Sequence, residues 1–124
     1  MPTALTLTRA LGAATAAYSI AITVKPAWLA KPCGLTTAEG AVPDDTALLI
    51  RAIGARDTAI GTAMLLATRP HAARTAVACR IAADWSDAVL FGALLSDPTK
   101  RQKIAGFAAG WGALCAAAAA RLPR

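Results

Sequence analysis

The sequence predicts an all-α chain, an up-and-down four-helix transmembrane bundle, on three observations. Its 124 residues are 56% hydrophobic, with a mean hydropathy of +0.50, and only 16% are charged, against roughly 25% in a soluble domain. Alanine, the strongest helix former, dominates the apolar stretches, and the β-branched and aromatic runs that favour strands are scarce. Four apolar stretches near the roughly 20 residues a spanning helix needs are separated by proline, glycine and charge. The length suits one domain, 1–124.

The first helix is expected over about 3–24, ending at Lys25-Pro26, where proline cannot continue it. A cleaved signal peptide is the competing reading; it is disfavoured because no basic residue precedes the apolar core and Arg9 sits inside it. Residues 25–45, with Pro26, Pro32, Gly34, Gly40 and Pro43, read as a connecting segment, in which Trp28 and Lys31 suit the headgroup level. Asp44, Asp45 and Thr46 are candidate N-caps for a second helix over 46–67. Thr68 to His71 breaks the pattern before a third helix over 74–95, which Ser96-Asp97-Pro98 stops. A fourth covers 104–122, and short connections make consecutive helices antiparallel. In it, Gly106 and Gly110 form a GxxxG spacing that lets backbones approach closely, within the bundle in preference to a homo-oligomer. Four spans put both termini on one side, while nearly balanced Lys and Arg in the connections leave the orientation open.

The net charge of +6 does not predict nucleic-acid binding, because the basic residues are scattered and accompany no reading motif. Flanking apolar segments, they suit anionic lipid headgroups, as in a multi-pass protein of the cell membrane. Cys33, Cys79 and Cys115 are odd in number and lack CxxC spacing, and His71 is the only histidine, so neither a disulfide framework nor a zinc site is expected. No cofactor is expected.

The informative feature is charge inside the predicted spans: Arg9 in the first, Arg51, Arg56 and Asp57 in the second, and Arg80, Asp84 and Asp87 in the third. Each costs about 3 kcal/mol at the centre of a spanning helix, so each needs an internal partner or water. Arg80, Asp84 and Asp87 share one helix face by their i, i+4, i+7 spacing. Arg51, Gly54, Thr58 and Gly61 make a small and polar stripe on the second helix, flanked by Arg56 and Asp57. Antiparallel pairing sets Asp84 level with Asp57 and Arg56, Asp87 between Arg51 and Arg56, and Arg9 level with Arg80, a single ionic layer of guanidinium and carboxylate pairs. Asp84 to Asp87, DWSD, is also like one half of a magnesium-diphosphate motif, but no second acidic motif accompanies it and no metal is expected.

With RAIGARDTAIG (Arg51 to Gly61) and RIAADWSD (Arg80 to Asp87), the sequence resembles a family of small four-helix integral membrane proteins, a domain of unknown function common in actinobacteria and present in fungi. The likeness extends loosely over nearly the whole chain. It implies a membrane location and importance for the Arg and Asp positions, and no reaction.

Three functional classes stay open. One is a membrane isomerase or cyclase acting on a lipophilic small molecule, with Asp57, Asp84 or Asp87 as candidate acid or base and Arg9, Arg51, Arg56 and Arg80 as candidate substrate-binding groups. Another is a non-catalytic lipid or anion binder that uses the arginines. The third is a structural accessory membrane protein whose ionic layer only sets helix register.

Overall fold

The computed structural model describes residues 3–124, and over these the chain is all-α with five helices: α1 (Ala4–Val24), α2 (Ala27–Cys33), α3 (Asp44–Leu66), α4 (Pro70–Leu94) and α5 (Pro98–Ala120). The four long helices correspond to the four expected ones, with boundaries that move for local reasons. Pro70 and Pro98 each occupy the first turn, where their missing N–H costs nothing, so α4 starts four residues and α5 six residues earlier than expected. Asp97 caps α5 by accepting from the Thr99 and Lys100 amides at 2.9 and 3.2 Å. α3 starts at Asp44, so Asp44 and Asp45 lie in its first turn, opposite the positive end of the helix dipole, and do not cap it; the N-cap is Pro43.

The segment expected as a plain connection holds the short helix α2, which buries Ala30 and Cys33. It ends on Gly34 at φ 71°, where glycine alone adopts the left-handed cap without a Cβ penalty. Leu35 N–H closes the motif on the Ala30 carbonyl at 2.9 Å. Lys25 lies 5.3 Å from the Trp28 ring centre, joining charge and indole at the foot of α1.

The long helices contact one another chiefly as two antiparallel pairs, α1 with α3 and α4 with α5, joined where α3 meets α4. Backbones come closest between α1 and α3. A Cβ on Gly12 would lie 2.7 Å from the Gly61 carbonyl, and one on Gly61 would lie 2.7 Å from the Ala16 amide. Gly54 packs likewise on the Ser19 carbonyl. The small stripe of the second expected helix is therefore the seat of α1. The GxxxG pair does not serve the interior as expected: Gly106 and Gly110 are exposed, and a Cβ on either would meet nothing within 4 Å.

Along its buried face α1 satisfies its hydroxyls internally. Thr8, Thr15, Ser19 and Thr23 each donate to the carbonyl four residues earlier, at 2.6–2.9 Å. Apolar clusters fill three levels: Ala67, Ala73 and Leu122 at the end that holds Ala4; Met64, Val77 and Cys115 in the middle; and Ile22, Ala30 and Ile50 at the end that holds α2.

Candidate functional site

The charged groups of α3 and α4 meet in the interior. Asp57 Oδ1 accepts from Arg56 Nε at 2.8 Å and lies 3.2 Å from Arg80 Nη2. Arg80 Nη2 also donates to Asp84 Oδ1 at 2.5 Å, and Arg56 Nη2 donates to Asp87 Oδ2 at 2.7 Å. The helical spacing of Arg80, Asp84 and Asp87 places all three toward α3, where the adjacent Arg56 and Asp57 complete the network. Arg80 is 2% and Asp84 6% exposed, and each is held in the low-dielectric interior by its opposite charge.

Arg9 and Arg51 do not join this layer, contrary to the expected register. Both are exposed and reach helix ends: Arg9 Nε donates to the Leu65 carbonyl at 2.7 Å and Arg51 Nε to the Thr23 carbonyl at 3.2 Å. Last-turn carbonyls have no intrahelical donor, so a guanidinium there satisfies an orphan acceptor and opposes the negative end of the dipole. The second helix pair repeats the device, with Arg74 on the carbonyls of Leu122 and Pro123 beyond α5 and Arg101 on that of Leu95 at the end of α4. Asp87 consequently pairs with Arg56 alone and not with Arg51.

With two guanidinium groups facing three carboxylates, the fully ionised network carries one excess negative charge. Two buried atoms in it, Arg80 Nε and Asp84 Oδ2, have no hydrogen-bond partner among the described residues. Asp57, Arg80, Asp84 and Asp87 all line a pocket of about 260 Å³. Such a volume approaches the lower end of small-molecule sites, which run from roughly 300 to 1,000 Å³.

The other walls of the pocket are apolar and aromatic. Phe91 comes from α4, Phe107 and Trp111 from α5, Tyr18 from α1 and Leu29 from α2. Phe107 and Trp111 stack with ring centres 6.4 Å apart and planes 12° from parallel. Trp111 is fixed by its Nε1–H, which donates to Thr15 Oγ1 at 3.0 Å and ties α5 to α1. The i, i+4 spacing of Phe107 and Trp111 places them on one face of α5. Tyr18, Phe91 and Leu29 carry no comparable signal.

Compared with known protein families, curated proteins and solved structures, the chain matches none. Its chemistry is therefore to be read from the pocket. Among the described residues no three His, Cys, Asp or Glu side chains gather as a metal ion would need, the pocket aspartates being turned to guanidinium groups. Cys33 and Cys115 are buried and Cys79 is exposed, all as free thiols. Burial pushes the Cys33 thiol up to about 11, against a smaller opposing pull from Lys100.

Proposed function

We propose that this chain is a small integral membrane protein, an up-and-down bundle of four spans of the family it resembles, which holds a lipophilic small molecule in the pocket and moves a proton on it through Asp84. The observation that carries the reading is the state of that carboxylate, on a residue that lines the pocket: Oδ1 is pinned by Arg80, while Oδ2 is buried with no hydrogen-bond partner among the described residues. A buried acceptor left free costs stability unless a ligand uses it.

Several features support the membrane location. α1 and α5 are long and apolar enough to cross a bilayer. At 23 and 25 residues, α3 and α4 are long enough too, and their central charges are turned inward and paired. Large apolar side chains cover the outside, among them Leu49, Leu66, Val89, Leu94 and Leu114, a distribution suited to lipid. Intrahelical hydroxyl bonds and arginine-capped carbonyls leave few polar groups for the lipid to meet.

The reaction class that suits the site is isomerisation or cyclisation. Asp84 Oδ2 takes a proton from one carbon of the substrate and returns it at another, which conserves atoms and electrons and requires no cofactor. Arg80, which also lines the pocket, supplies positive charge beside negative charge that develops in between. The same free oxygen would serve a non-catalytic binder as a hydrogen-bond acceptor, which is the second reading.

Mass spectrometry of gently purified protein, followed by incubation in deuterium oxide, separates the two. The catalytic reading expects a co-purified lipophilic compound that gains carbon-bound deuterium with the native chain and not with Asp84→Asn. A compound that binds and never exchanges would leave the binder; purified protein that retains nothing beyond bulk lipid would remove both.

A further inference from the structure

The charge balance of the pocket restricts what it holds. Four arginines were candidates for receiving an anion, but Arg9 and Arg51 are spent on carbonyls at the helix ends, and Arg56 and Arg80 are shared among three carboxylates. The guanidinium groups are thus outnumbered where they meet the cavity. One excess negative charge in a low-dielectric interior calls for a proton or a cation beside it.

Among the described residues, the groups around the pocket and Asp84 leave no other source of positive charge. From α4 these are Arg80 and Asp87, from α3 Arg56 and Asp57, from α1 Tyr18, and from α5 Cys115 and the indole of Trp111. Phe91, Phe107 and Trp111 line the same pocket as the carboxylates, and the faces of such rings carry the negative lobes that attract an organic cation. An anion would meet both the excess carboxylate and those ring faces.

We infer that the pocket takes a lipophilic amine or quaternary ammonium, its cationic centre beside the Asp84 and Asp87 carboxylates and its apolar body against Phe91, Phe107 and Trp111. This deepens the proposed function, on whose pocket it rests, by naming the class of molecule. Arg80 and Arg56 then act as positioning residues that hold the carboxylates in the wall. A positive charge next to the reacting carbon also makes its proton easier to remove, which joins the recognition to the proposed proton transfer.

The test uses three probes of similar size on the full detergent-solubilised chain: benzyltrimethylammonium, its uncharged carbon isostere neopentylbenzene, and phenylpropionate. Calorimetric titration and thermal shift are read for each. The ammonium ion is expected to bind about ten-fold more tightly than the isostere, the difference expected of a desolvated ring and carboxylate contact, and phenylpropionate is expected not to bind. Asp84→Asn should remove most of the preference for charge. Should that variant fail to fold, Asp87→Asn is expected to lower it as well, and Phe107→Leu, at a side chain 66% exposed, to weaken ammonium binding several-fold. Equal or tighter binding of neopentylbenzene or phenylpropionate would overturn the cation inference and leave a lipophilic pocket standing. No binding by any of the three would overturn both.

Discussion

Arg9 and Arg51 are reciprocal across the α1–α3 pair: each lies near the start of its own helix and donates through Nε to a carbonyl in the last turn of the other, Leu65 for Arg9 and Thr23 for Arg51. Arg74 and Arg101 stand in a similar relation across α4 and α5, donating through Nη2 and Nη1 to the Leu122 and Leu95 carbonyls just past the helix ends. Every long helix therefore ends on a guanidinium from its antiparallel partner. The four long helices form two such pairs, with the ionic network where α3 meets α4.

These capping arginines should matter to stability and not to the pocket. Arg9→Gln and Arg51→Gln are each expected to cost about 1 kcal/mol, as exposed charge-assisted bonds at helix ends do. Melting of each variant in detergent checks the cost, and ammonium binding should be unchanged. A variant that loses binding without losing stability would return that arginine to the site.

The interior pair is asymmetric. Arg80→Gln strands Asp84, whose only donor is Arg80, and should cost about 3–5 kcal/mol. Asp84→Asn leaves Arg80 its contact with Asp57 at 3.2 Å and should cost less, about 1–2 kcal/mol. The double variant should recover about 1–3 kcal/mol of the summed losses. Equilibrium unfolding of the four proteins measures this, and strict additivity would refute the coupling, together with any purely structural role for the network.

Alanine should act with opposite sign at two kinds of glycine. Gly61→Ala forces a Cβ to 2.7 Å from the Ala16 amide and 2.8 Å from the Gly12 carbonyl, and is expected to destabilise by about 1–3 kcal/mol. Gly110→Ala meets nothing and removes backbone freedom, so it should be neutral or stabilise by up to about 1 kcal/mol. Thermal melts of the two variants are compared; the reverse order would mean that α5, not α3, supplies the close helix contact.

The Cys33 thiol sets a dependence at high pH. Its value of about 11 lies above the 9.0 of an ordinary thiol, so the fold favours the neutral form. Stability from this group is complete below pH 9 and is lost as pH rises through 9 to about 11. Alkylation of Cys33 by iodoacetamide should accordingly be slow at neutral pH and accelerate over that interval. Rapid labelling at pH 7 would show that α2 does not bury this side chain.

Much of the helical plan was legible because proline and aspartate punctuate it: Lys25-Pro26, Arg69-Pro70 and Asp97-Pro98 each sit within a few residues of an observed end. The Arg56, Asp57, Arg80, Asp84 and Asp87 network was legible as well, since helical spacing and a short turn fix which residues can face each other. Arg9 and Arg51 were misplaced because level along the axis was read without rotation about it. A long arginine side chain can also run to a helix end, where an unfilled carbonyl competes with an interior carboxylate. The GxxxG spacing of Gly106 and Gly110 misled for a related reason: two glycines permit a close approach, but the rotation of α5 turns them outward, while Gly12 and Gly61 meet across α1 and α3. α2 was missed because seven residues interrupted by Pro32 carry almost no periodic signal.

The proposed burial of the paired charges in a membrane-embedded protein can be checked with nitroxide labels at Val89 on α4 and Leu114 on α5, both exposed apolar positions, in an otherwise cysteine-free chain reconstituted into vesicles. Collision with molecular oxygen and with a water-soluble nickel chelate reports whether each label meets lipid or water. High oxygen and low nickel accessibility are expected at both positions. Free access of the nickel chelate to both labels would place these faces in water and contradict the proposed burial.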